Sequence, residues 1–179
     1  NAGRIVPFRP KLSGERNTAG TQQIRFHGRL AYRRPTSSDD LTLMTVGADN
    51  MHFEIKDSDP PPSDDTIYSG FTDPYGYFDV TVNWNDCDIT GCDKPDIYIF
   101  FVASDEVVNV IPVFAIPFLL PYVWSTEGNT IDDFTGSDVD FGTLTFDASQ
   151  HPAMHIHNSI VRAHRYIQVH DGTDVKQVT

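Results

Sequence analysis

The chain has 179 residues, 39% of them hydrophobic and 12% aromatic, with a formal net charge of −12. That length suits one domain with a sizeable core, and so much acid repels nucleic-acid phosphates and anionic lipid, which excludes both as partners of the whole molecule. No run of 18 or more apolar residues occurs, so no membrane-spanning helix is expected.

Charge divides the chain unevenly. Residues 1–34 carry eight basic residues against the single acid Glu15, a net of +7, so the remainder of the chain carries −19. Asn1 to Thr21 holds Pro7, Pro10, Gly14 and Gly20 and little apolar periodicity. It reads as an extended basic arm, with Arg4, Arg9, Lys11 and Arg16, joined by Arg25 just beyond, as the cations that would meet an acidic surface of this body or of a neighbouring copy. No basic start followed by an apolar run opens the chain, so any signal peptide is expected to be already removed and the mature protein to be extracellular.

From Gln22 onward the pattern changes to strands. Ile24, Phe26, Gly28, Leu30 and Tyr32 alternate with Arg25, His27, Arg29 and Arg33, one face dry and one basic. Leu41–Val46 and Met51–Lys56 read as two further strands around Gly47-Ala48-Asp49-Asn50. Asp57–Asp65, with Pro60-Pro61-Pro62, is a stiff acidic loop. Asp73-Pro74-Tyr75-Gly76 has tight-turn composition, and beyond it Phe78, Val80, Val82 and Trp84 alternate with Tyr77, Asp79, Thr81 and Asn83, which predicts a β-hairpin here. Cys87 and Cys92 enclose four residues directly after that strand, and in a chain of secreted character they favour a short-loop disulfide.

Asp96–Ala103 is apolar on both faces, as a strand between layers would be. Val107–Trp124 is rich in β-formers but interrupted by Pro112, Pro117 and Pro121, which fits an edge strand or surface ribbon and not a central strand, the alternative being that it folds under as ordinary core. A short strand is expected over Val139–Phe146. The period then switches: Met154, Ile156, Ile160, Val161, Ala163 and Ile167 recur at helical spacing behind Pro152, predicting a helix over about residues 152–168.

Thr72-Asp73, Gly76 and Phe78-Asp79-Val80 resemble the T-D-x-x-G-x-F-x-V turn of transthyretin-like and carboxypeptidase-regulatory-like modules. Gly28-Arg29-Leu30-Ala31-Tyr32 is similar to their opening G-x-x-x-Y strand, and Met51–Asp57 to the strand between. The resemblance covers roughly residues 26–125. It implies a two-layer antiparallel β-sandwich, transthyretin-like or Ig-like, and the work of a non-catalytic companion in secreted proteins. The organisation expected is therefore an all-β fold with an N-terminal arm (1–21), a sandwich (22–147) and a C-terminal helix and tail (148–179).

Chemistry-bearing patterns are sparse. The sequence has no G-x-S-x-G elbow, no phosphate-binding glycine loop and no H-E-x-x-H, so no enzyme is expected. Five of seven histidines crowd residues 151–170, but His155 and His157 stand about 200° apart on a helix and cannot share a metal. No cofactor is expected apart from calcium as an alternative: Asp132, Asp133, Asp138 and Asp140 offer oxygens, though not at EF-hand spacing. Tyr75, Tyr77, Trp84, Tyr122 and Trp124 could stack on sugar rings or serve the core. Two functions follow. The first is an extracellular module acting through protein–protein association, in its strongest form a filament-type subunit whose arm lies on the next copy. The second is a calcium- or glycan-binding accessory module of a secreted hydrolase.

Overall fold

The computed structural model describes residues 22–36, 42–59, 64–85, 94–105, 107–111, 121–145 and 151–171. Among the described residues, eight strands and one long helix follow in order: β1 (Gln22–Pro35), β2 (Leu43–Gly47), β3 (His52–Asp57), β4 (Asp65–Phe71), β5 (Tyr77–Trp84), β6 (Ile97–Val102), β7 (Val123–Ser125), β8 (Asp138–Thr145) and α1 (His151–Asp171). The strands form two four-stranded sheets. In the first, β1 is central, flanked on one side by β5 and β2 end to end and on the other by β8; the second runs β4-β3-β6-β7. The all-β, two-layer expectation with one C-terminal helix holds.

The alternation read from β1 is the alternation observed. Ile24, Phe26, Leu30 and Tyr32 are buried, Arg25 and Arg33 are exposed, and His27 and Arg29 lie half-buried between them. The inward set meets Phe53, Ile55, Ile97, Ile99 and Phe101 from the second sheet in one continuous core. Phe53 and Phe78 stand with ring centroids 4.8 Å apart and planes tilted by 38°, joining the two layers in an aromatic contact. β6, apolar on both faces, is a central strand of the second sheet. β7, which takes in only the last two residues of the proline-interrupted stretch, is an edge strand. Val108 and Val110, from the start of the proline-interrupted stretch, are buried in a smaller cluster with Ala103, Ala153 and Val161. Residues 112–120 lie outside the described set.

Two expectations need correction. The Asp73–Gly76 turn has the local geometry its residues imply: Asp73 Oδ1 accepts from the backbone N–H groups of Tyr75 and Tyr77 at 2.8 Å each, and Gly76 adopts φ +83°. Yet β4 pairs with β3 in one sheet while β5 pairs with β1 in the other, so the turn is an arch between layers and not a hairpin. It is held by β1 and β2: Leu30 N–H donates to Gly76 O, and a Cβ placed on Gly47 would lie 1.8 Å from the Tyr75 carbonyl oxygen. The second arch, Ala48–Met51 between β2 and β3, is stapled to the first by the buried Thr72, whose hydroxyl accepts from Met51 N–H and donates to Ala48 O. The second correction is that the sheets are not wholly antiparallel. β8 runs parallel to β1, because it returns along the free edge of β1 after the chain has left the second sheet.

α1 covers the end of the sandwich. Met154 enters the main core, and Ala153 and Val161 enter the smaller cluster. The helix extends three residues beyond the 168 expected.

Candidate functional site

Two surfaces carry the molecule's unusual chemistry. The first is the outward face of the first sheet. Because β1 is flanked on both sides, its outward residues head three cross-strand rows: Thr81–Arg25–Asp138, Asp79–His27–Asp140 and Tyr77–Arg29–Thr143. Facing pairs across strands stand close enough for side chains to interact. Arg25 grips Asp79 through two bonds, Nε to Oδ1 at 2.8 Å and Nη2 to Oδ2 at 2.7 Å, and reaches Asp138 at 3.5 Å. The hydrogen bond from Arg25, with its positive charge, holds the Asp79 carboxyl below the usual range, and Asp79 raises Arg25 in return. His27 sits between carboxylates, its Nε2 3.1 Å from Asp138 and its Nδ1 3.6 Å from Asp140. Arg29 lies over the Tyr77 ring at 5.2 Å and donates to the Tyr75 carbonyl.

A bulge shapes this face. Between His27 and Arg29 the register against β8 slips from Asp140 to Thr143, so β8 spends three residues where β1 spends two. Gly142 takes up the irregularity at φ +61°, with its N–H on Asp140 Oδ1 at 2.8 Å. The result is a shallow depression of about 460 Å³ lined by His27, Arg29, Tyr77, Phe78, Asp79, Asp140 and neighbours.

The second surface belongs to α1. One stripe, Ala153, Met154, His157, Asn158 and Val161, is buried. Its polar members are tied to the arches and the loop after β6. Asn158 Oδ1 accepts from Asp49 N–H at 3.0 Å, Arg165 contacts both Asp49 oxygens at 2.8 and 2.9 Å, and His157 Nε2 stands 3.4 Å from Asp105. Asp105 also accepts from Asn50 and from the backbone of Val107 and Val108. Burial alone would raise Asp105, but the bonds from His157, Val108 and Asn50 outweigh it and leave its carboxyl below the usual range. Burial dominates at Asp49, which sits above that range against the pull of Arg165 and Arg162. A second stripe, Ile156, Ile160, Ala163 and Ile167, runs along the helix at spacings of four, three and four, the spacing of a coiled-coil seam. Ile156 is 51% exposed and Ala163 is exposed, whereas Ile167 is half-buried and Ile160 packs at the edge of the smaller cluster; Tyr166 and Val169, on other sides of the helix, are also exposed.

The structure distributes the residues singled out by sequence as follows. Arg25 is engaged within its own sheet, whereas Arg4, Arg9, Lys11, Arg16, Cys87 and Cys92 lie outside the described residues. Asp138 and Asp140 flank His27, while Asp132 and Asp133 occupy the preceding turn, where Asp133 N–H donates to Asp96. Among the described residues no group of three or more His, Cys, Asp or Glu is placed to hold a metal ion. Of the aromatics offered for sugar stacking, Tyr75 and Tyr77 are exposed, while Trp84, Tyr122 and Trp124 pack against the cores. Sequence reasoning placed His27 and Arg29 on a wet face but missed the carboxylates on either side of His27. That pairing depends on β8 lying along β1, which no local signal encodes.

No family model matches the chain, and no curated protein does. Among solved structures, a 9R-lipoxygenase from Cyanothece PCC8801 is similar over 74% of this chain and 18% of its own length, at 19% identity and a TM-score of 0.41. The chain thus spans under a fifth of that protein, and so slight a likeness has no bearing on fold, activity or the transthyretin-like resemblance.

Proposed function

We propose that this chain is a non-catalytic β-sandwich module that acts in an extracellular setting by holding a second protein along the outward stripe of α1. The observation that carries the reading is the seam itself. The helix already buries one stripe against the sandwich, and along a second line it leaves Ile156 and Ala163 exposed and Ile167 half-exposed, with Ile160 reaching from that line to the edge of the smaller cluster. A helix that docks by one stripe needs only polar residues elsewhere, so a second apolar stripe at coiled-coil spacing is the mark of a second partner.

Charge selects the partner. Residues 151–170 contain five histidines, Arg162 and the Asp49-bound Arg165 and no acid, within a chain of net −12. The complementary occupant is an amphipathic segment whose apolar stripe is flanked by carboxylates.

The test uses a helical peptide with leucine at seam positions and glutamate on both flanks, titrated against the full chain and against Ile156→Asp and Ile167→Asp variants. Saturable binding that weakens with salt and disappears in the variants is expected. Absence of binding, or binding indifferent to both substitutions, defeats the proposal. A parent that dimerises in sedimentation without peptide, and stops doing so when Ile156 is replaced, would assign the seam to a second copy instead.

A further inference from the structure

The depression on the first sheet is independent of the helix seam, and its chemistry differs. Its lining sets His27 and Arg29 beside Asp79 and Asp140, with Tyr77 exposed at one end and the Arg25–Asp138 contact next to it on the same face. Its floor includes Phe78 and the side-chain-free Gly28 and Gly142. An apolar floor inside a ring of planar, bidentate hydrogen-bonding groups suits a ligand with two apolar faces and a polar circumference.

The position of the depression narrows the ligand further. Peptides commonly add to sheets along an open edge, where main-chain groups are unpaired. Here the depression is centred on β1, whose backbone is paired with β5 on one side and β8 on the other across residues 25–29. Only side chains are on offer, and their mixed charges give no strong net attraction to a ligand of large charge. A bulge at Asp140–Thr143, in place of a continued ladder, opens the space between β1 and β8. We infer that this face is a binding site for neutral pyranose glycans, with Tyr77 stacking on a sugar ring and Asp79, Asp140 and His27 bonding its hydroxyls.

Cellohexaose, xylohexaose and mannohexaose are the probes, each titrated to ~10 mM against the isotope-labelled chain while backbone amide shifts are followed. At least one is expected to saturate with a dissociation constant of roughly 1 mM or tighter, its shifts concentrated at residues 27–29, 77–79 and 140–143. Tyr77→Ala and Asp140→Asn, whose side chains are solvent-facing, are each expected to weaken that sugar about tenfold. The inference is overturned if no hexasaccharide saturates, if the shifts concentrate elsewhere, or if folded Tyr77→Ala binds as the parent does. The shift map on the parent decides the matter even where a variant fails to fold.

Discussion

Replacing Arg165 with methionine removes the cation that faces Asp49, and the structure sets the size of the loss. The Asp49 side chain is 3% exposed, and both its oxygens lie within 2.9 Å of the Arg165 guanidinium. Stranding a buried charge costs about 3–5 kcal/mol, but Asp49 has an escape, since it can take up a proton. For a carboxyl of ordinary affinity that uptake costs about 4 kcal/mol near pH 7, at ~1.4 kcal/mol per unit of displacement. Burial already raises Asp49, which lowers the ceiling. Arg165 is itself 39% exposed and screened by water, which lowers the worth of the pair again. The expected loss is therefore about 2–3 kcal/mol near pH 7, falling below ~1 kcal/mol near pH 5 as the proton becomes cheap to acquire. Urea unfolding of parent and Arg165→Met at both pH values measures it. A loss equal at the two pH values, or below ~1 kcal/mol near pH 7, would refute the reasoning, because either result means Asp49 does not depend on Arg165 for its charge.

Two further outcomes are expected. Gly76→Ala places a Cβ 2.1 Å from the Leu30 carbonyl oxygen at φ +83°, so it should lower the urea midpoint by the equivalent of ~2 kcal/mol or more, or prevent folding; a parent-like midpoint would show that the arch is not clamped there. Asp105 titrates below the usual carboxylate range in the folded state, so its contribution is complete above that range and is lost as pH falls through the depressed value, below about pH 4. Asp105→Asn should be less stable than the parent near neutral pH and lose less on acidification. Acid unfolding followed by near-ultraviolet circular dichroism compares the two, and parallel curves would dismiss the role given to this carboxyl.

The sites were legible in different degrees. The β1 face was readable because alternation is a local property: Arg25, His27 and Arg29 face outward since Ile24, Phe26 and Leu30 must face the core. The helix was readable for the same reason, although the sequence alone could not say which of its two apolar stripes would dock. Met154 and Val161 docked, and the choice was made by the polar anchors Asn158 and Arg165, whose partner Asp49 lies more than a hundred residues away. The Asp138–His27–Asp140 arrangement was hidden for a similar reason, since it joins strands that are remote along the chain.

By itself the sequence determined which stretches are strands, which side of each is dry, where the chain turns and where it becomes helical, because these follow from side-chain period and the φ preferences of single residues. Only the tertiary structure decided that the Asp73–Gly76 turn joins layers instead of neighbours, and that β8 lies parallel to β1. Strand pairing is settled when two sheets close over one core, and a turn of given chemistry serves an arch as well as a hairpin until the packing of Leu30, Gly47 and Gly76 selects between them.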